Sequence, residues 1–131
     1  MTHPTGTATA PASDEAFVAR WRAFWAAPSP ERVGALSHPD IAMRFPGAEG
    51  EARGVDVWRA RVAGVLERFP DLVLEPTGFA RAEGGYAFIS WRATATVDGR
   101  PLQWEGIDRM AFTDGLVSES LVVFDRSLLP A

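Results

Sequence analysis

Cysteine is absent from this chain of 131 residues, and histidine occurs only twice, as His3 and His38. Without cysteine the chain has no disulfide, no thiolate nucleophile and no cysteine zinc site. Two histidines far apart in sequence argue against a histidine metal site, and no set of carboxylates has the spacing of a metal-binding loop. We therefore expect no bound metal and no cofactor, and the lack of cysteine agrees with a predicted cytoplasmic location.

Clusters of basic residues and long hydrophobic runs are also missing. The formal net charge is -4 and no stretch concentrates arginine, so we expect neither a nucleic acid nor a membrane surface as partner. Residues 1–12 are mostly Thr, Ala and Pro, with no positively charged start, and they predict a disordered tail and not a signal peptide. Residues 13–131 then form one domain, large enough to bury about two thirds of its unfolded surface.

Bulky aromatic residues are plentiful, with five Trp and eight Phe among the 131 residues. Each tryptophan taken singly is most simply a core residue. Together they supply more aromatic surface than a small core requires. We therefore expect some of them to line a cavity.

Helical spacing of apolar residues is confined to the first half of the chain. Ser13, followed by two acids, predicts a helix start, and this helix runs to about Ala27, where prolines end it. A short helical turn is expected over Pro30–Leu36. A second long helix begins at Val55 and ends before Pro70.

The second half of the chain has the alternation of β-strands, interrupted by turns that contain glycine. The turns at Glu83-Gly84-Gly85, Asp98-Gly99 and Asp114-Gly115 predict hairpins, and hence an antiparallel meander. Helices first and sheet second predict an α+β domain whose helices pack across one face of a curved sheet. The predicted strands are Ile41–Phe45, Leu72–Ala80, Tyr86–Val97, Leu102–Phe112 and Leu116–Phe124.

Asp108 lies on the unexpected face of its predicted strand. Side chains alternate between the two faces of a strand; Glu105 and Arg109 mark one face as wet, whereas Asp108 shares the other with Trp104 and further apolar residues. A carboxyl group in such surroundings needs a hydrogen-bond partner or must stay neutral. Two interpretations remain: an acid that contacts a ligand, or a buried carboxyl satisfied by a tryptophan N–H or by Ser120.

The second face of the predicted sheet is not fully polar. It carries Tyr86, Phe88, Ile107, Leu121 and Val123. A second subunit commonly covers such a patch, so we predict a homodimer through the outer face of the sheet. Arg44 and Arg92 also point outward, and we expect them to pair with surface acids.

Several short motifs follow one another in an order that is fairly specific for one fold. They are Asp40-Ile41-Ala42, Phe45-Pro46-Gly47, Gly54 before a helix, a strand ending at Trp91, and the run from Gly106 to Gly115. Over residues 13–125 the chain resembles the nuclear transport factor 2-like superfamily, which includes ketosteroid isomerases and SnoaL-type polyketide cyclases. The resemblance implies a cone-shaped NTF2-like fold, with three N-terminal helices on a curved antiparallel or mixed sheet and a pocket for a small apolar ligand.

The resemblance also assigns roles to single positions. Asp108 matches the isomerase aspartic acid that donates a hydrogen bond to a developing oxyanion. Phe45 stands where the isomerases carry their catalytic base, and Trp21 stands where they carry a tyrosine. The predicted strands hold no histidine, although the polyketide cyclases use one in the pocket, and Val122-Val123 replaces the acid of the epoxide hydrolases. Steroid isomerisation by the family mechanism is therefore not expected.

The sequence thus predicts a pocket that binds a small apolar or aromatic carbonyl compound around Asp108. If the protein is an enzyme, Asp108 acts as the acid in an isomerisation, cyclisation or dehydration, assisted by the indole of Trp21 and the hydroxyl of Ser120. Two alternatives stay open: a non-catalytic binding or association module, and a structural dimer whose pocket aromatic side chains close. The predicted ligand-binding residues are Trp21, Trp25, Phe45, Trp58, Trp91, Trp104, Met110, Ser120, Val122 and Phe124.

Overall fold

A computed structural model describes residues 5–45 and 50–125. Helices lead and strands follow along these residues, as predicted. In chain order the elements are helix α1 (Thr5–Ala26), a 3-10 helix (Pro30–Ala35), strands β1 (Ser37–Arg44) and β2 (Ala52–Arg53), helix α2 (Val55–Arg68), strand β3 (Val73–Arg81), a 3-10 turn (Glu83–Gly85) and strands β4 (Ala87–Val97), β5 (Arg100–Thr113) and β6 (Leu116–Phe124).

The described strands form one six-stranded mixed sheet in the order β2-β1-β6-β5-β4-β3. Strands β3 to β6 are an antiparallel meander, which confirms the predicted hairpins. Strand β1 pairs with β6 in parallel and with β2 in antiparallel orientation. Register shifts interrupt the β1–β6, β3–β4 and β5–β6 ladders. Such irregularities bend strands, and they give the sheet a concave inner face.

Helix α1 extends further towards the N-terminus than predicted. The start predicted at Ser13 is wrong, because the helix begins at Thr5 and ends at Ala26. Alanine recurs at every second position between Ala8 and Ala12, and alanine has the highest helix propensity of all residues. The segment expected to be a disordered tail is therefore helical from Thr5 onward, while residues 1–4 lie outside the described residues. The boundary between tail and domain stays a prediction.

The two tight turns between the last three strands have the backbone that their sequence predicts. Asp98 and Asp114 have φ values of 52° and 54°, and the glycine after each has a φ of 75° or 78°. Two consecutive residues with positive φ are typical of the hairpin turn that matches the right-handed twist of strands. Since the turn fixes the register, β5 and β6 present their side chains on the faces that alternation predicts.

Strand β1 begins at Ser37 and ends at Arg44, so the predicted Ile41–Phe45 is wrong at both ends. Because the strand includes His38, the prediction that the strands hold no histidine is also wrong, although His38 does not line the hollow described below. The register of β1 to β6 shifts between Ser37 and Ala42, so the strand carries an irregular first half that alternation alone does not detect. Among the described residues, no helix is long and apolar enough to cross a bilayer. The cytoplasmic location stays a prediction.

The inner face of the sheet and the helices enclose the hydrophobic core. Phe17, Trp21 and Phe24 face inward from α1, one helical turn apart, and Phe17 packs edge-on against Phe112 of β5 with a centroid distance of 4.9 Å. The outer face of the sheet has no such cover within the described chain. Phe88, Ile107 and Val123 are exposed there by 38%, 47% and 54%.

Candidate functional site

A hollow of about 730 Å³ lies between the helices and the inner face of the sheet. Its volume is in the range of small-molecule sites, which is about 300 to 1,000 Å³. The structure brings all eleven residues of the predicted site together around it. These are Trp21, Trp25, Phe45, Trp58, Trp91, Trp104, Asp108, Met110, Ser120, Val122 and Phe124.

Asp108 is the sole carboxyl group among the described residues that line this hollow. It lies on β5 between Ile89 of β4 and Val122 of β6. Burial raises the pKa of Asp108 to about 7, because removal from water disfavours the carboxylate, and the hydrogen bond from Trp91 lowers it in part. Near neutral pH this carboxyl therefore exists in both protonation states, which suits a group that gives or takes a proton.

The indole of Trp91 holds Asp108 in place. Its Nε1 donates a hydrogen bond of 3.0 Å to Oδ1 of Asp108. The indole reaches that carboxyl because it passes over Gly106, the residue opposite Trp91 in the ladder. A Cβ at Gly106 would lie 2.3 Å from Cζ2 and 2.5 Å from Cη2 of Trp91. Only glycine at this position leaves room for the indole that bonds to Asp108.

Trp21 and Ser120, the two predicted helpers of Asp108, both line the hollow, and their help towards a ligand oxygen stays a prediction. Among the described residues, the tryptophan that donates a hydrogen bond to Asp108 is Trp91. Trp21 is buried on α1, where it packs against Trp25 with a centroid distance of 6.0 Å. Ser120 is buried opposite Met110 on β6 and lines the hollow, but among the described residues it forms no hydrogen bond with Asp108. The partner that satisfies the carboxyl is therefore an indole N–H.

Aromatic side chains form most of the remaining wall. Phe45 and Trp58 are stacked, with an interplanar angle of 22° and a centroid distance of 6.0 Å. Trp25 contacts Trp58 at 6.2 Å, and Phe124 contacts Trp91 at 6.0 Å, so the rings support one another around the space. Such rings present flat apolar surface to whatever occupies the hollow.

The hollow opens along α2. Five of its described lining residues are exposed, and all five lie on this helix at spacings of three or four residues, which puts them on one side of it. We call this set the α2 rim. It consists of Val57, Ala60, Arg61, Gly64 and Arg68.

Sequence reasoning missed the α2 rim and Gly106. The apolar stripe of α2 reveals its buried side, whereas the residues of the rim look like an ordinary solvated surface. One signal was present for Gly106: alternation puts this glycine on the inner face, two residues from Asp108, and a glycine inside a strand often marks a close approach of another group.

The outward arginines follow the prediction in part. Arg92 lies 3.9 Å from Glu105, a long and exposed pair that stabilises little. Arg44 is exposed at the end of β1, and within residues 14–45 and 50–125 no acid pairs with it. The same residues contain no group of three or more His, Asp or Glu that is arranged to hold a metal ion.

Helices that close an aromatic-lined hollow over a bent mixed sheet, with a carboxyl group inside, define an α+β domain of the NTF2-like fold. The SnoaL-like domain family matches residues 18–120, and the chain belongs to this family. No curated protein matches the chain.

Solved structures agree with this fold. A proposed polyketide cyclase from Acidithiobacillus ferrooxidans superposes with a TM-score of 0.76 at 18% identity, covering 98% of this chain and 94% of that one. A proposed SnoaL-like polyketide cyclase from Jannaschia sp. CCS1 gives 0.73 at 19% identity, covering 87% and 86%. AclR from Streptomyces galilaeus, a proposed hydroxylase, gives 0.69 at 24% identity, covering 88% and 76%. At these identities the likeness shows the fold alone.

Proposed function

We propose that this protein binds a small, largely apolar or aromatic carbonyl compound in the hollow, with protonated Asp108 donating a hydrogen bond to the carbonyl oxygen. The observation that carries the proposal is the placement of Asp108: one carboxyl, bonded to Trp91 at 3.0 Å, on the wall of an otherwise mostly apolar hollow. Its pKa of about 7 keeps a substantial protonated fraction at neutral pH.

The chemistry that follows is acid catalysis at a carbonyl group. A donor aimed at the oxygen stabilises the negative charge that develops there when a neighbouring C–H bond ionises or a carbon nucleophile adds. Enolisation, isomerisation, aldol-type cyclisation and dehydration share this requirement. Imine chemistry is excluded, since none of the 131 residues is a lysine. The proposed polyketide cyclases among the similar structures support this reaction class.

A binding experiment with an aromatic ketone tests the role of Asp108. Acetonaphthone accepts hydrogen bonds but donates none, so only the protonated carboxyl bonds to it. Calorimetric titration should show that the affinity of the wild type falls as the pH rises through about 7. The Asp108→Asn variant, whose amide always donates, should bind without this pH dependence. The Asp108→Leu variant should bind about tenfold more weakly than the wild type at pH 5.

Equal binding by all three proteins at every pH would contradict the proposed role of Asp108. Proton exchange then separates an enzyme from a binder. In heavy water an enzyme that enolises bound acetonaphthone passes a methyl proton to solvent and takes back deuterium, and proton NMR detects the loss of that signal. Asp108→Leu is the matched control for exchange by solvent alone.

A second candidate function is a non-catalytic binding module. The observation that favours it is the missing base, since Phe45 stands at the position of the isomerase base and Asp108 has no second carboxyl beside it among the described lining residues. Binding of acetonaphthone without proton exchange would select this function. A close-packed structural dimer is not supported, because the space beside Asp108 is open.

We also propose that the outer face of the sheet pairs with a second copy of the chain. Ile107 lies level with Val123 of β6, and Phe88 lies level with Arg109 of β5, so the exposed apolar residues lie on three neighbouring strands of the same face. The guanidinium of Arg109 lies 4.9 Å from the ring centroid of Tyr86 at its margin. A single copy has no described element to cover this patch.

A further inference from the structure

The α2 rim differs in charge from the rest of the hollow. Of the five residues in the rim, two are arginines, Arg61 and Arg68. A guanidinium keeps its positive charge at physiological pH. Deeper in the hollow the described polar side chains are Asp108 and two serines, apart from the tryptophan N–H groups. The opening is therefore positive, whereas the interior is mostly apolar.

Arg61 is held in a defined position at this opening. Its guanidinium carbon lies 4.2 Å from the ring centroid of Phe45, within the range of a cation–π contact. Phe45 in turn stacks on Trp58. A guanidinium that contacts a ring in this way keeps N–H groups available at its edge, and two of these donate side by side to a carboxylate.

No acid of the described chain neutralises Arg61. The ion pairs of residues 14–45 and 50–125 do not include it, although the nearby Arg59 pairs with Asp56 on the same helix. A charged group that lines a site and has no described partner is available to a ligand. Arg68 adds positive charge further along the rim but is not needed for this step.

The distance between Asp108 and the opening limits the length of the ligand. Arg44, the last residue of β1, is level with Leu121 of β6, and continuing this parallel ladder by one residue puts Phe45 near Val122. Val122 is level with Asp108 of β5. Phe45 and Asp108 are thus two strand spacings apart, or about 10 Å. This backbone separation sets the scale of the hollow between the two groups, and a compound with two fused rings between an oxygen and an acidic group is of that order in length.

Gly64 keeps the opening wide beside Arg61. A Cβ built on Gly64 meets no atom within 4 Å, so packing does not require a glycine there. Glycine inside a helix costs about 1 kcal/mol relative to alanine. Gly64 weakens its helix, makes no close contact and lines the opening. These three properties fit a position past which a ligand enters the hollow.

From these observations we infer that the ligand is an aromatic or polycyclic acid, with its carbonyl or phenol oxygen at Asp108 and a carboxylate at Arg61 on the α2 rim. This inference deepens the proposed function and rests on it. The proposed function concerns only the ligand oxygen at Asp108, whereas this inference identifies a carboxylate at the other end of the ligand.

Two matched probes test the inference by calorimetric titration at neutral pH. Naphthol carries only the hydroxyl group. The hydroxynaphthoic acid with its carboxylate at the opposite end of the ring system carries both groups. The wild type should bind the acid about tenfold more tightly than naphthol, because a bidentate charge-assisted pair is added. Arg61→Gln should abolish this preference by lowering the affinity for the acid about tenfold more than the affinity for naphthol.

Arg44→Gln is the matched control, since it removes the same charge from the residue next to Phe45 but outside the lining of the hollow. It should keep the preference for the acid. Equal affinity of the wild type for both probes, or a preference that survives Arg61→Gln, overturns the inference while leaving the proposed function intact. Failure of the wild type to bind either probe overturns the inference, and the titration with acetonaphthone then shows whether the proposed function fails as well.

Discussion

Two neighbouring residues of β5, Ile107 and Asp108, have their polarities reversed. The apolar Ile107 is 47% exposed on the outer face, whereas the acidic Asp108 points to the inner face among aromatic residues. When one face of a sheet packs on the core and the other meets solvent, apolar residues point inward and acids point outward. The exposure of Ile107 and the inward position of Asp108 are therefore both unfavourable in an isolated chain without a ligand or a partner.

The two residues differ in what surrounds them. Asp108 has a dedicated partner in Trp91, and Gly106 leaves the space that this partner requires. Ile107 lies between Ser90 and Val123 in the ladder, and no described side chain covers it. The inner site is thus prepared by the chain itself, whereas the outer patch becomes buried only when another surface meets it.

The largest expected effect is the loss in the free energy of unfolding that the buried Asp108 carboxylate causes as the pH rises. Its pKa rises from 3.8 to about 7 on folding, so the folded state holds a proton that the unfolded state has lost between these values. The contribution of Asp108 to stability is therefore highest below pH 4 and falls as the pH rises to 7. Between pH 5 and pH 8 the wild type should lose about 3 kcal/mol relative to Asp108→Asn, at about 1.4 kcal/mol per pKa unit.

Urea denaturation of both proteins at several pH values measures this difference. Glu105→Gln, which changes an exposed acid on the outer face of the same strand, is the control and should follow the wild type. If the stabilities of the wild type and Asp108→Asn change in parallel with pH, Asp108 does not carry the raised pKa.

A smaller loss is expected when the space below Trp91 is filled. Gly106→Ala puts a methyl group where the indole lies, and it should destabilise the protein by about 2 kcal/mol, as overpacking does. It should also displace the indole from Asp108 and weaken the binding of acetonaphthone. Trp91→Phe in the same chain should restore only part of the stability, since the smaller ring makes room while the backbone oxygen of Val123 still lies 2.8 Å from the added methyl group; a rescue of zero would mean that the contact with Val123 dominates.

On the outer face a charge should break the predicted dimer. Ile107→Arg puts an unpaired guanidinium into the patch and should raise the dimer dissociation constant about tenfold or more. Sedimentation equilibrium measures this change. Thr96→Arg, on an exposed polar part of the same face, is the control. A wild type that is monomeric at every concentration would contradict the proposed interface.

The smallest effect is expected at Gly64 and has the opposite sign. Gly64→Ala should stabilise the protein by about 0.5 to 1 kcal/mol, because alanine favours the helix and the added methyl group meets nothing. The comparison with Gly106→Ala is direct, since the chemical change is the same. Urea denaturation that shows destabilisation at Gly64 would mean that this part of α2 is more closely packed than the structure has it.

The pattern of residues predicts most of the fold. Strand β6 begins and ends where alternation puts it, at Leu116 and Phe124, because Asp114-Gly115 fixes the turn before it. Alternation also selects the inner face correctly, so the residues predicted for the site line one hollow. Each of these features follows from turn residues that are adjacent in sequence or from the alternation of side chains along a strand, and both are visible in a single sequence.

What the pattern does not predict depends on the reach of side chains between elements. Trp21 and Trp91 are both inward residues, and only the position of Gly106 across the ladder decides that Trp91 reaches Asp108. Arg61 is polar and exposed on α2, so its position in the helical pattern does not distinguish it from arginines that only contact solvent. Periodicity identifies a face, but the meeting of two side chains requires the twist, the register and the rotamers as well.

The contact between Trp91 and Gly106 has a consequence for how this sequence can diverge. A side chain at position 106 and an indole at position 91 exclude each other, since the distance from a Cβ to the ring would be 2.3 Å. The residue that is allowed at position 106 therefore depends on the residue at position 91. A descendant that gains a side chain at 106 must move the indole at 91 and also shift the backbone carbonyl of Val123, which would lie 2.8 Å from the new Cβ, and the carboxyl at 108 then needs another hydrogen-bond donor.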